Sequence, residues 1–177
     1  LGTDHHKFDR LVGWVDEWLA SQDEKPACVV QHGASRPPDH ARGITRMPRR
    51  ELLDLYAQAT VVIVQGGPGS ILDAREVGHL PIAVPRLPEL NEVVDGHQVA
   101  FSRTMAAHGN AILAEDFETF IERTEAALRN PGSVRTPPRN SGATAAAYKL
   151  GLAVDRLDKD PTGPIAVRRI RQLLLNR

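Results

Sequence analysis

The stretch Val61-Val62-Ile63-Val64-Gln65-Gly66-Gly67-Pro68-Gly69-Ser70 decides the fold. Four consecutive β-branched residues suit a strand buried on both faces, and such strands belong to parallel sheets covered by helices. The glycines then end the strand, and a helix is expected over 70–77, stopped by Gly78. A buried strand running through a glycine-rich turn into a helix is one unit of an α/β fold.

The same alternation continues in both directions. Toward the N-terminus, Phe8, Leu11, Val12, Val15 and Leu19 fall at helical spacing and predict a helix over 8–20. Ala27-Cys28-Val29-Val30-Gln31 reads as a short buried strand and Gly43-Ile44-Thr45-Arg46 as another; Pro48 then opens a helix through Ala59. Toward the C-terminus, a strand over 81–84 precedes a helix over 97–107 closed by Gly109. A strand over 111–113 leads to a helix capped by Asp116, with Phe117, Phe120, Ile121, Thr124 and Leu128 on one face. The expected architecture is a doubly wound parallel α/β sheet of Rossmann-like form over 1–130. A Pro/Gly/Ser-rich linker over 131–142 follows. Two helices are expected in 143–177, one over 143–157 and a basic, amphipathic one after Pro164 carrying Ile165, Ile170, Leu173 and Leu174 beside Arg168, Arg169 and Arg171. Leu1-Gly2-Thr3 reads as the end of a strand with no initiator Met before it, so the chain reads as clipped at its N-terminus.

Composition bounds the function. The 177 residues suit one domain of ordinary size, and 41% hydrophobic with 25% charged residues is the balance of a globular chain with a real core. No stretch approaches the roughly 18 consecutive apolar residues of a membrane span, and no signal-peptide pattern opens the chain. The single cysteine, Cys28, excludes an internal disulfide framework, fits a cytosolic setting and reads as strand packing. Zero net charge removes the simplest case for nucleic acid. The zero is unevenly spread: from Val134 onward nine bases and three acids leave +6, so the preceding residues carry −6. Such a tail docks on its own acidic body, on a partner or on an anionic membrane surface.

The chemistry is expected outside the carboxyl ends of the strands. Gly66, Gly67 and Gly69 let a ligand approach the backbone, and the following helix offers free N–H groups to an anion such as a diphosphate. Ser70 serves as N-cap or as donor to a phosphate oxygen, and Asp73, one turn on, can accept ribose hydroxyls. The plainer alternative is a tight turn with Asp73 set against the helix dipole. A dinucleotide fingerprint fits poorly, because Leu72 stands at the third glycine position and the Pro85/Pro88 context disfavours Glu89 and Glu92 as ribose acids. A Walker A loop fails, since no Gly-Lys-Ser/Thr follows. Asp95-Gly96-His97-Gln98 opens a later helix, where His97 and Gln98 either contact a hydroxyl-rich ligand or sit solvated beside a capping Asp95. Asp4, His5, His6 and His32 also follow strands. They are suitable metal ligands, but their spacing has no zinc signature and no metal is expected.

Taken in order, Gln65-Gly66-Gly67-Pro68-Gly69-Ser70-Ile71-Leu72-Asp73-Ala74, Gly78-His79-Leu80-Pro81-Ile82-Ala83-Val84-Pro85-Arg86 and Asp95-Gly96-His97-Gln98 resemble the donor-binding half of GT-B glycosyltransferases. The likeness is to the C-terminal domain of family 28, and within it to the short catalytic subunit of the two-part UDP-N-acetylglucosamine transferase. It spans about residues 1–128, including Leu1-Gly2-Thr3 and Gln31-His32-Gly33. The resemblance implies a UDP-sugar donor and no cofactor. Gly66, Gly67, Pro68, Gly69 and Ser70 would cradle the diphosphate, Asp73 would hold the ribose, and His97 and Gln98 would contact diphosphate or sugar. Thr3 and Gln31 would line the opposite wall. The family usually has Glu at the position of Asp73 and often His at that of Gln65, so the ribose contact here is shorter by a methylene. It further implies direct displacement at the anomeric carbon, with hexosyl or N-acetylhexosaminyl transfer to a lipid-linked or polysaccharide precursor. The base is expected from an acceptor-binding partner, either a missing N-terminal region or a second, membrane-associated chain. That places the protein in the cytoplasm, peripheral to a membrane. A nucleotide-sugar epimerase of related fold and a non-catalytic UDP-binding subunit are the alternatives.

Overall fold

The computed structural model describes residues 5–139. The strand expected at Leu1-Gly2-Thr3, with Thr3 and Asp4, and the helices expected in 143–177 lie outside the described residues.

The elements follow the alternation read from the sequence: α1 (Asp9–Ala20), β1 (Val29–Gln31), β2 (Arg42–Ile44), α2 (Arg49–Gln58), β3 (Ile63–Gln65), α3 (Pro68–Glu76), β4 (Ile82–Val84), α4 (His97–Ala107), β5 (Ile112–Leu113) and α5 (Phe117–Arg129). Short 3-10 turns stand at Pro88–Leu90 and Pro131–Val134. Every pairing between the described strands is parallel. The fold is therefore α/β, as read. The strands stand in two ladders, β1-β2 and β3-β4-β5, rather than in one continuous sheet. Among the described residues β1 pairs only with β2 and β3 only with β4, so one doubly wound sheet through all five strands is not formed by these bonds.

Strand β4 is the axis of the packing. Its pleat sends Ile82 and Val84 into a cluster with Phe8, Leu11, Val15, Trp18 and Leu19 of the α1 region and Phe120 and Ala127 of α5. Ala83, between them, joins Val62, Val64, Ile71 and Ala74, with Tyr56, Phe101 and Met105 packed alongside. Both faces of the three-stranded ladder are thus covered, which is why β4 is buried at every position. The helix ends follow local chemistry. Asp116 accepts from the Thr119 N–H at 2.8 Å in a capping box. Gly78 and Gly109, with φ of +85° and +65°, follow α3 and α4 in the left-handed region.

The start of the expected linker is packed. Leu80 N–H donates to Val134 O and Thr136 N–H to Gly78 O, both at 2.9 Å, and Val134 is buried. A Cβ on Gly78 would stand 2.8 Å from Thr136 O, so glycine is required there by contact as well as by φ.

Candidate functional site

The glycine turn sits where the sequence places it, at the carboxyl end of β3, but its helix begins earlier than expected. Gly67 is the N-cap of α3, Pro68 its first residue and Ser70 lies inside the first turn. Pro68 explains the shift: its fixed φ suits the first helical position, where no N–H is needed. Gly67 provides no side-chain cap, so the positive end of the helix dipole at the first turn is left without a capping side chain.

The glycines have different reasons for being there. A Cβ on Gly66 would fall 2.2 Å from Ser102 Oγ and 2.9 Å from Pro85 Cα, so packing alone demands glycine. A Cβ on Gly69 would meet nothing within 4 Å. Gly69 faces open space beside the uncapped turn, and no protein contact requires its lack of a side chain.

Ser102 was not singled out by its sequence context, yet it joins the turn to α4. Its hydroxyl is buried and lies 3.1 Å from Gly66 O and 2.7 Å from Gln98 O. Gln98 stands in the first turn of α4, and its Oε1 is buried without a hydrogen-bond partner. A buried unpaired acceptor costs about 1–3 kcal/mol, an expense a ligand hydroxyl or N–H would remove. His97 is placed otherwise: its side chain is 90% exposed, with Nδ1 2.6 Å from Asp95 Oδ1. Asp95 also accepts from the His97 N–H at 3.0 Å, and that bond first, then the ring, holds its carboxyl below the usual range. Gly96 is the N-cap of α4 and makes no side-chain cap bond; Asp95, one residue before it, holds the His97 N–H and ring.

Asp73 is occupied. Arg49, at the start of α2, donates to its Oδ1 from Nε at 3.1 Å and Nη2 at 2.7 Å, and reaches Glu76 Oε2 at 2.7 Å. These carboxylates raise the Arg49 pKa, and Asp73 contributes, after burial, to pushing the Tyr56 phenol up to about 12. Arg49 is exposed, so the pair is screened by solvent and holds Asp73 only weakly. Gln31 lies in the β1-β2 ladder, and its Oε1 accepts from the Met47 N–H at 3.1 Å, pinning the turn into α2.

The long loop after β4 carries the least anticipated feature. Arg86 is 1% exposed. Its Nε donates to Gln65 Oε1 at 2.9 Å, and its Nη1 to His6 O at 2.9 Å and Glu92 O at 2.8 Å. Gln65, whose role the sequence left open, is thus an acceptor for a buried cation. The Glu92 carboxylate is buried too, held by Arg10 Nε at 2.9 Å and Nη2 at 2.8 Å, and accepting from the Leu87 N–H. Glu92 therefore holds the loop rather than a ribose.

The remaining candidates hold local roles. His32 Nδ1 lies 2.9 Å from Ser35 O, and the His5 and His6 rings stand 3.9 Å apart. Among the described residues no three His, Cys, Asp or Glu side chains group as metal ligands. Burial first, then Asp16, pushes the Cys28 thiol up to about 11, which leaves it unreactive near neutral pH. No helix among the described residues is long and apolar enough to cross a membrane.

No protein-family model, no curated protein and no solved structure matches the chain.

Proposed function

We propose that this domain binds the UDP moiety of a UDP-sugar and serves as the donor half of a GT-B-type hexosyltransferase. The observation that carries the reading is the start of α3: an uncapped helix N-terminus flanked by Gly69, whose missing side chain no packing requires. The buried, unpaired Oε1 of Gln98, linked to this turn through Ser102, supplies an acceptor for a ligand hydroxyl or N–H. Covering helices on both faces of the β3-β4-β5 ladder agree with a doubly wound, Rossmann-like domain completed by strands beyond this ladder.

In this proposal the diphosphate lies against the first turn of α3, near Gly67, Gly69 and Ser70. Asp73 Oδ2, which Arg49 does not engage, accepts from the ribose. The acceptor oxygen forms its bond to the anomeric carbon as the sugar–phosphate bond breaks. Its proton passes to a base on an acceptor-binding domain or subunit, and the negative charge developing on UDP is met by the helix N-terminus. The sugar is a hexosyl or N-acetylhexosaminyl group, and the acceptor a lipid-linked or polysaccharide precursor at a membrane surface facing the cytoplasm.

Asp73→Ala tests the ribose contact. It is expected to weaken UDP about tenfold, as for loss of a charged hydrogen bond, while inorganic diphosphate is weakened less. Equal loss for both ligands, read by calorimetry, would refute the assignment.

A further inference from the structure

The geometry points to Arg86 as a positioning residue that sets three strand-end segments as one surface. This rests on the reading above for what the surface binds, but not for its order. Three acceptors of the Arg86 guanidinium among the described residues lie on separate segments: Gln65 immediately before the glycine turn, His6 before α1, and Glu92 in the loop that leads to α4. Phe8 packs under it, with the guanidinium carbon 4.8 Å from the ring centroid. Glu92 returns the hold from its other end. Its carboxylate takes Arg10, which also donates to Pro85 O at 2.8 Å, and accepts from the Leu87 N–H at 2.9 Å. Residues 85–92 are thus curled around the guanidinium and closed by a carboxylate from their own end.

Arginine is needed because its planar fork presents donors in divergent directions. A lysine ammonium concentrates its donors at one point and cannot span Gln65, His6 and Glu92 together. A buried guanidinium is also a poor choice for stability alone, since an apolar residue packed there would avoid the desolvation cost. Its placement fits the fixing of geometry. The Gln65 bond holds the entry to α3, while the Glu92 bond holds the approach to Gln98 and α4.

The test is Arg86→Lys, read by amide hydrogen exchange in the unliganded protein and by UDP titration, with Phe120→Leu as a control for general destabilisation. Arg86→Lys should speed exchange at least tenfold in both residues 66–74 and residues 92–101, and weaken UDP at least tenfold. Phe120→Leu should do neither. Faster exchange in only one segment, or changes no larger than those of Phe120→Leu, would overturn the positioning role. Loosening of both segments in a protein whose parent form fails to bind UDP would uphold the role and contradict the donor reading. Should Arg86→Lys not fold, Gln65→Met is the second probe. It should loosen residues 66–74 and leave 92–101 unchanged; an unchanged 66–74 segment would overturn the link.

Discussion

The chain leaves β3 through two glycines and is helical by Pro68, whereas it leaves β4 through residues 85–96 before α4 begins. The first connection takes its shape from its backbone: glycine where Ser102 and Pro85 come close, proline where the helix starts. The second takes its shape from side chains, with Arg86 and Glu92 buried inside it and Arg10 reaching in from α1. A short turn can be specified by residues that limit the backbone. A long one needs bonds that replace the entropy limits glycine and proline supply, and here they are the bonds of buried Arg86 to neutral oxygens and the Arg10–Glu92 ion pair.

Breaking the second connection should cost most. Glu92→Ala removes the carboxylate that Arg10 and the Leu87 N–H share, leaving Arg10 only its bond to Pro85 O, and removing one partner of a buried pair costs about 3–5 kcal/mol. Denaturant unfolding is the measurement, and a loss below about 1 kcal/mol would mean that the loop does not depend on this charge.

The glycine turn should separate into structural and ligand-facing halves. Gly66→Ala forces a methyl group onto Ser102 and Pro85 and should cost about 1–3 kcal/mol. Gly69→Ala meets nothing within 4 Å and should leave stability unchanged or raise it by about 0.5 kcal/mol, while weakening UDP. Unchanged UDP affinity in a stable Gly69→Ala protein would leave Gly69 without its proposed role.

The smallest effect is expected behind α3, where His79 is fully buried in the turn toward β4. Burial first, then the charge of Arg135, lowers its pKa from 6.5, against an opposing pull from the Tyr56 backbone. The unfolded chain then binds the proton more readily than the folded one, so stability should fall as pH drops below about 6.5 and be flat above it. His79→Leu should shrink that acid slope; an identical slope in both proteins would show that His79 is not its source.

This contrast also explains what could be read in the sequence. The alternation of apolar runs and helical spacing located all five described strands and five helices, because each signal lies within a few neighbouring residues. Asp116, Gly78 and Gly109 marked helix ends for the same reason. The start of α3 was displaced because Ser70 drew the cap away from Gly67 and the proline after it. The single sheet expected through all strands appears as two ladders, with Leu1-Gly2-Thr3 outside the described residues. Arg10, Glu92 and Arg86 gave no local signal, since Arg10 finds Glu92 at a separation of 82 residues and Arg86 finds His6 at 80. Arg49 on Asp73, and Ser102 behind Gly66, are likewise pairings that only the folded chain reveals.

In the proposed function the uncapped start of α3, with Gly69 open beside it, receives the diphosphate of a uridine nucleotide. Calorimetric titration of the protein with UDP, UDP-sugars and NAD tests it most directly. Saturable UDP binding between micromolar and millimolar concentration is expected, with NAD much weaker. Binding of NAD with no response to UDP, or of neither nucleotide, would contradict it.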